Sequence, residues 1–421
     1  MKKMYCAIDG GNSTIEVVIN GQRCPVAFPS MDCEPDKEYT DVMKVGSIGK
    51  PNHEKLHVTL QKNREKNSSV KEFVFGHMAE AYGKSKRNRE NFDKSADPQL
   101  VEWMLTALAY GIYDKERKEK GVPDNKIKAE IVLSVGLPFH EAKNVENKKR
   151  FGKAFKGNHI IEFQHPAFDG AAVEINVSTV YINVEGEASL GRIIFDPDGE
   201  CSKLAPEDLL NRVYTMVNCG GFSTEIIGMQ FLKADSGDEY IDMFDEDYEL
   251  SINPETQTHL TAGIQKGVGT AMIDTLKNIE ENETMIKRSL IRRDIEVALS
   301  RGGKNPDTNT LGWILPEKVN INKYFSKHIK RLAEHVSQKL HSLYTANNVK
   351  SQVQKIYLSG GGSKIDLFVE TFTAEMVNYG YDENIIVQDP DPIFADAHGY
   401  YEAMMETEEA YQEDHDLSDV G

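Results

Sequence analysis

Two stretches of this chain repeat one phrase. "AIDGGNSTIEVV" begins at Ala7 and "MVNCGGFSTEII" begins at Met216, about half the chain apart. Each runs from apolar residues into Gly-Gly, one residue, Ser-Thr, and back to apolar residues with a Glu among them. Two apolar runs joined by a glycine turn read as a strand hairpin. A chain that carries the pattern twice at this separation reads as two similar halves, each opening on a glycine-turn hairpin. Its 421 residues give ample length for two domains with their own cores.

Glycine turns of this kind suit a polyphosphate. Backbone N–H groups can approach it closely because no Cβ intervenes, and Ser and Thr hydroxyls add donors. Gly10, Gly11, Asn12, Ser13 and Thr14 meet that description, and so do Gly220, Gly221, Phe222, Ser223 and Thr224. Two such turns at corresponding places point to one ligand gripped from both halves. Asp9 immediately precedes the first turn. A carboxylate there repels phosphate unless a hard cation lies between them, so Asp9 is a candidate partner of Mg²⁺, directly or through water. A third glycine turn, "LSGGGSKI" (358–365), joins a strand to a helix and is a candidate floor for the base and ribose of a nucleotide. "INVEGEASLG" (182–191) places Glu185 and Glu187 at a turn after a strand. A carboxylate that orients or deprotonates water suits phosphate hydrolysis. The two acids lie two residues apart, and one of them is expected to face the site.

The remaining pattern is mixed α/β. "AEIVLSVGLPF" (129–139) reads as a buried strand, and "DPQLVEWMLTALAYGIYDK" as a helix. A strong amphipathic helix runs through Ile329, Leu332, Val336, Leu340 and Leu343. "DPIFADAHGYYEAMM" reads as a last helix with Pro392 in its first turn. The segment from Asp235 to Glu249 reads as an acidic loop or hairpin. The end, "METEEAYQEDHDLSDVG", reads as a solvated, frayed tail, since no Lys or Arg follows Lys364. A net charge of −18 argues against broad attachment to DNA or to an acidic membrane. The five cysteines form no CxxC pair, and no signal peptide or bilayer-length apolar run is evident. The expected location is a reducing cytoplasm.

Taken in order, the first phosphate turn, the "VGLP" strand end, the "VEGEA" turn, the second phosphate turn and "LSGGGS" resemble the actin-like ATPase superfamily. The "VEGEA" turn and the "DPIFADAHGYY" ending are most similar to ParM-type bacterial plasmid-segregation actins. The resemblance implies an α/β, two-lobed actin/Hsp70/hexokinase-like ATPase fold, each lobe built on a mixed sheet flanked by helices. Lobe I would span 1–205, with a C-terminal helix at 390–421 packing back on it, and lobe II 206–389. It implies ATP with Mg²⁺, with GTP left open, and cytoplasmic polar filaments of the chain itself. It also implies an adaptor bound to a plasmid centromere, with no direct nucleic-acid or membrane contact. Carried over, Asp9 matches the metal-facing acid, and Glu185 matches the catalytic, water-activating position, with Glu187 as the register alternative. The residues from Gly10 to Thr14 and from Gly220 to Thr224 match the two phosphate turns. Gly360, Gly361, Gly362 and Lys364 match the adenosine motif. The sequence departs at Asn218, where the family has Asp holding metal waters. Asn keeps an acceptor oxygen but loses the charge, so a water-mediated role at the metal stays open there. A small-molecule kinase on the same fold, or a nucleotide-gated scaffold with little hydrolysis, are the alternative readings.

If Asp9 faces the cation, Asp9→Ala weakens Mg²⁺-dependent nucleotide binding and raises the critical concentration for assembly together, because assembly requires ATP to favour the polymerising conformation. Titration with a fluorescent nucleotide and ATP-dependent sedimentation test this. Unchanged values in both remove Asp9 from the site.

Overall fold

Both copies of the repeated phrase form antiparallel hairpins. Lys2–Gly10 pairs with Thr14–Ile19, placing Asp9 opposite Glu16 and Gly10 opposite Ile15. Val213–Cys219 pairs with Thr224–Lys233, placing Asn218 opposite Glu225 and Cys219 opposite Thr224. Matched by strand register, Asn218 therefore occupies the position of Asp9, one residue off the match that the glycines suggest. The computed structural model describes residues 2–35, 49–63, 69–82, 93–121, 125–196, 198–233, 252–283, 286, 290–302, 312–315 and 317–418. The chain divides into two compact units, 1–195 with 394–421, and 196–393.

The first unit is built on a ten-stranded mixed sheet. At its centre Lys2–Gly10, Lys126–Leu137 and Ala172–Val184 run parallel, side by side. Such strands are covered on both faces and read as near-continuous apolar runs, which is why "AEIVLSVGLPF" is legible as a buried strand. Gly157–Phe163, His57–Lys62 and Val70–Phe75 extend the sheet by antiparallel pairing. The Pro98–Lys120 helix packs across it, burying Leu100, Trp103, Met104, Ala107, Leu108 and Ile112. Asp97 caps this helix, its side chain accepting from the Gln99 N–H at 2.8 Å.

The second unit holds a six-stranded mixed sheet. Its order runs Ile252–Thr256, Thr224–Lys233, Val213–Cys219, Val353–Ser359, Ile386–Gln388, with Ala262–Ile264 also paired to Thr224–Lys233. Val213–Cys219 and Val353–Ser359 are parallel. The Asn322–Ala346 helix buries Ile329, Leu332, Val336 and Leu340, while Leu343 is half-buried and packs on the same core. Both units are thus mixed sheets flanked by helices. The segment from Asp235 to Glu249, expected as a loop or hairpin, lies outside the described residues.

Two expectations for the C-terminal region are corrected. The last helix is Ala395–Ser418, so Pro392 precedes it and is not in its first turn. The Pro392 carbonyl is instead taken by the Gly360 N–H at 3.0 Å, which holds that segment out of helical geometry. As far as Ser418 the acidic end from Glu406 continues the helix instead of fraying, and Glu408 accepts hydrogen bonds from Tyr181 Oη at 2.7 Å and Lys3 Nζ at 3.1 Å. These partners come from strands of the first unit, so no reading of the tail's own composition could find them.

This helix packs on the first unit's sheet through Ala397 and Tyr400, which cluster with Ala7 and Val18. The Tyr400 ring lies fully buried against Gly136, where any Cβ would overlap its hydroxyl and ring. Gly136→Ala therefore lowers the stability of the first unit by about 3 kcal/mol, the upper range for overpacking a filled core. Denaturant unfolding followed by fluorescence measures it, and a variant as stable as the wild type would refute this account of the helix's docking.

Candidate functional site

The carbonyl oxygens of both glycine turns are consumed inside the fold. In the first unit, Ser30 Oγ donates to Gly11 O at 2.6 Å and the Ser30 N–H to Ser13 O at 3.0 Å. In the second, the Val268 N–H donates to Gly220 O at 3.0 Å and the Gly269 N–H to Gly221 O, while Ser223 O accepts from the Gly220 N–H at 2.9 Å. These bonds fix the turns and satisfy the groups an anion would find repulsive. The Thr hydroxyls are also engaged locally. Thr14 bonds to Glu16, and Thr224 Oγ1 donates to Lys266 O at 2.8 Å. Gly10, Gly11, Asn12 and Ser13 complete the first turn, and Gly220, Gly221, Phe222 and Ser223 the second, where Arg292 stacks over the Phe222 ring at 5.2 Å.

The first unit also holds a charged cluster that joins its turn to the acidic turn. Ala172–Val184 ends directly before Glu185, whose N–H donates to Leu137 O at 3.0 Å. Glu187 is the first residue of the Glu187–Ile194 helix, so the alternating-strand register no longer applies to it. Glu185 is ion-paired with Lys94 Nζ, which also lies 3.6 Å from Asp9 Oδ1. Lys94 is only 7% exposed. Burial alone would pull its pKa down, but Glu185 and Asp9 more than reverse this, so the ammonium stays charged. Glu185 is held above the usual carboxylate range by burial, against the pull of Lys94, with Asp9 adding to the rise. Glu16, opposite Asp9, is pushed well up by burial and by the Asp9 charge. Asp396, from the C-terminal helix, accepts from the Gly186 N–H at 2.9 Å and from Ser189 Oγ, and so pins the turn that carries Glu185.

In the second unit the triple glycine packs on the end of the second hairpin. Gly360 has φ +74° and a Cβ there would overlap Asn218 and the Cys219 carbonyl, so only glycine fits. Gly362 lies against the Cys219 side chain, whereas Gly361 faces open space and Lys364 is exposed. Cys219 is thus a small buried spacer between the hairpin and this loop. The structure therefore brings Asp9 and Glu185 together in the first unit, and Asn218 with Gly360 and Gly362 in the second.

Several functional candidates escape the sequence pattern. Lys94 lies in a polar stretch without periodicity, and nothing short of the fold shows that it is buried. Ser30, Glu141 and Asp396 likewise act through contacts far along the chain. The glycines of "KGVGT" (266–270) are visible as a glycine-rich helix start, but not as the backing of the second turn.

Comparison with known proteins agrees with this architecture. Residues 7–187 match the family model of the actin-like proteins' N-terminal domain. A structure of the actin-like protein Alp7A covers 98% of this chain and 100% of its own, at 16% identity and a TM-score of 0.63. A 15-stranded ParM filament from Clostridium botulinum covers 96% and 100%, at 17% identity and a TM-score of 0.62. Bacillus thuringiensis ParM with ATP covers 97% and 100%, at 16% identity and a TM-score of 0.55. No curated protein matches the sequence. The chain has an actin-like N-terminal domain and an actin-like fold. That fold is similar to those of the ParM and Alp7A structures.

Asp396 makes the stability of the first unit depend on pH. Burial first, then the Asp9 charge, push its pKa up to about 7, from about 3.9 in an unfolded chain. The folded state thus keeps a proton that the unfolded state has already lost. The contribution is fully present below about pH 4 and is lost as pH rises through about 7. Asp396→Asn removes this dependence while retaining an acceptor for Gly186 and Ser189. Denaturant titrations between pH 4 and 7 read the slope, and an identical slope in the variant would exclude Asp396 as its source.

Proposed function

We propose that this protein is an actin-like ATPase that assembles into nucleotide-dependent polar filaments and segregates plasmid or other extrachromosomal DNA, hydrolysis driving disassembly. The observation that carries the reading is the junction at Lys94. It places the Glu185 carboxylate in one charged cluster with Asp9, the residue that leads into the first glycine turn. A phosphate held by that turn has a carboxylate nearby to orient or deprotonate water. The Gly220–Ser223 turn supplies further phosphate donors, and Gly360, Gly361, Gly362 and Lys364 the adenosine contacts.

Mg²⁺ fits the residues present. Asp9 Oδ1 is buried and accepts no hydrogen bond among the described residues. That placement beside a phosphate turn suits a cation that takes one or two carboxylates and keeps its waters beside substrate phosphates. Asp9 would hold it, with Asn218 as a water-mediated partner, and the cation would neutralise phosphate charge.

Self-assembly is supported by the similarity to the Clostridium botulinum ParM filament, and nucleotide use by the similarity to ParM solved with ATP. A centromere-bound adaptor, and not direct DNA contact, accords with a chain of net charge −18. No described helix is long and apolar enough to cross a membrane. We place the protein in the bacterial cytoplasm.

Electron microscopy of the purified protein with and without ATP–Mg²⁺ tests assembly. Glu185→Gln tests the chemistry. It retains ATP-dependent filaments but releases phosphate on the order of 10²-fold more slowly, the scale of a lost general base. Its filaments outlive those of the wild type. Glu187→Gln, at the start of the helix, is the control and is mild. Wild-type phosphate release in Glu185→Gln would refute the carboxylate mechanism at this turn.

A further inference from the structure

Lys94 is held with more care than an incidental lysine requires. Its own N–H donates to Glu141 Oε1 at 2.9 Å, and the neighbouring Ser95 N–H donates to Glu141 Oε2 at 2.8 Å. One carboxylate therefore clamps two successive backbone amides of the Lys94–Ala96 turn. Arg150 braces the same turn from outside, donating to Ser95 O at 3.2 Å and to Asp93 Oδ2 at 2.9 Å. Glu141 itself follows the end of Lys126–Leu137, the strand whose Leu137 carbonyl anchors the Glu185 N–H. The clamp on Lys94 and the anchor of Glu185 thus rise from the same strand end, four residues apart. Backbone and side-chain bonds together fix the ammonium relative to the carboxylate.

We propose that Lys94 is a positioning residue for hydrolysis: clamped by Glu141, its ammonium fixes the Glu185 carboxylate in the orientation needed to activate water. The inference rests on the ATPase reading and names a residue that neither the glycine motifs nor the resemblance supplies. Without the ammonium, Glu185 sits beside Asp9 and Asp396 with no cation among these side chains to direct it. Misplacement of a reacting group by about 1 Å costs on the order of 10²-fold in rate.

The full-length wild type, Lys94→Met, Lys94→Arg and Glu141→Gln are compared with ATP–Mg²⁺. Phosphate release at saturating ATP is measured alongside equilibrium nucleotide affinity and the melting curve. Lys94→Met is expected to lose on the order of 10²-fold in maximal rate, with affinity within about threefold of wild type. Lys94→Arg, which keeps the charge, recovers most of the rate, and Glu141→Gln falls between. A Lys94→Met protein that releases phosphate at the wild-type rate overturns the proposal. So does one that loses rate and affinity in equal measure with no rescue by Lys94→Arg, since that describes a structural role. If Lys94→Met does not fold, the other pair decides: a slow Glu141→Gln beside an active Lys94→Arg supports positioning, and a Glu141→Gln of wild-type rate refutes it. A wild type that binds ATP and releases no phosphate removes the ATPase reading itself, and this inference with it.

Discussion

A buried ammonium organises the first unit. Taking an ion out of water costs several kcal/mol even after relaxation, and the cost is met only where partners are close and well placed. Lys94 draws those partners from separate parts of the chain. Asp9 comes from the first strand, Glu185 from the end of the third parallel strand, and Glu141 from the short helix after the second. Asp396, on the C-terminal helix, secures the turn beside Glu185. The last helix of the chain is thereby fastened to the same few residues as the first strand. The acids around Lys94 would repel one another without it, and Lys94 would not remain buried without them.

The two hairpins share a register but solve their electrostatics differently. In the first, Asp9 stands opposite Glu16, two like charges on facing positions, which is destabilising when both are ionised. Burial and that repulsion push the Glu16 proton affinity well up. In the second, the residue opposite buried Glu225 is Asn218. Asparagine preserves the shape and an acceptor without a second like-charge pair. The first unit can afford Asp9 because Lys94 lies 3.6 Å away. Glutamate stands across the strand in both copies, so what separates Asp9 from Asn218 is the ammonium beside the first hairpin.

Short-range pattern carried a good part of this protein. Apolar runs broken by glycine specify the two hairpins, because a tight turn between extended segments is a local matter of backbone sterics. The 3.6-residue repeat specifies the Pro98–Lys120 and Asn322–Ala346 helices, and continuous apolar runs specify the central parallel strands. Asp9 and Glu185 were legible as candidates because each adjoins a turn of recognisable type. What tertiary structure alone decided were the partners. A lysine in an unpatterned stretch, a serine that ties up turn carbonyls and an acidic tail residue seated on Lys3 and Tyr181 carry no local signature. Their roles come from neighbours tens to hundreds of residues away. Pro392 shows the same limit from the other side: its sequence context suits a helix start, but its carbonyl is taken by the Gly360 N–H and Ser359 Oγ, far back along the chain. Local sterics and periodicity are written in adjacent residues, whereas burial of charge depends on which distant segments meet.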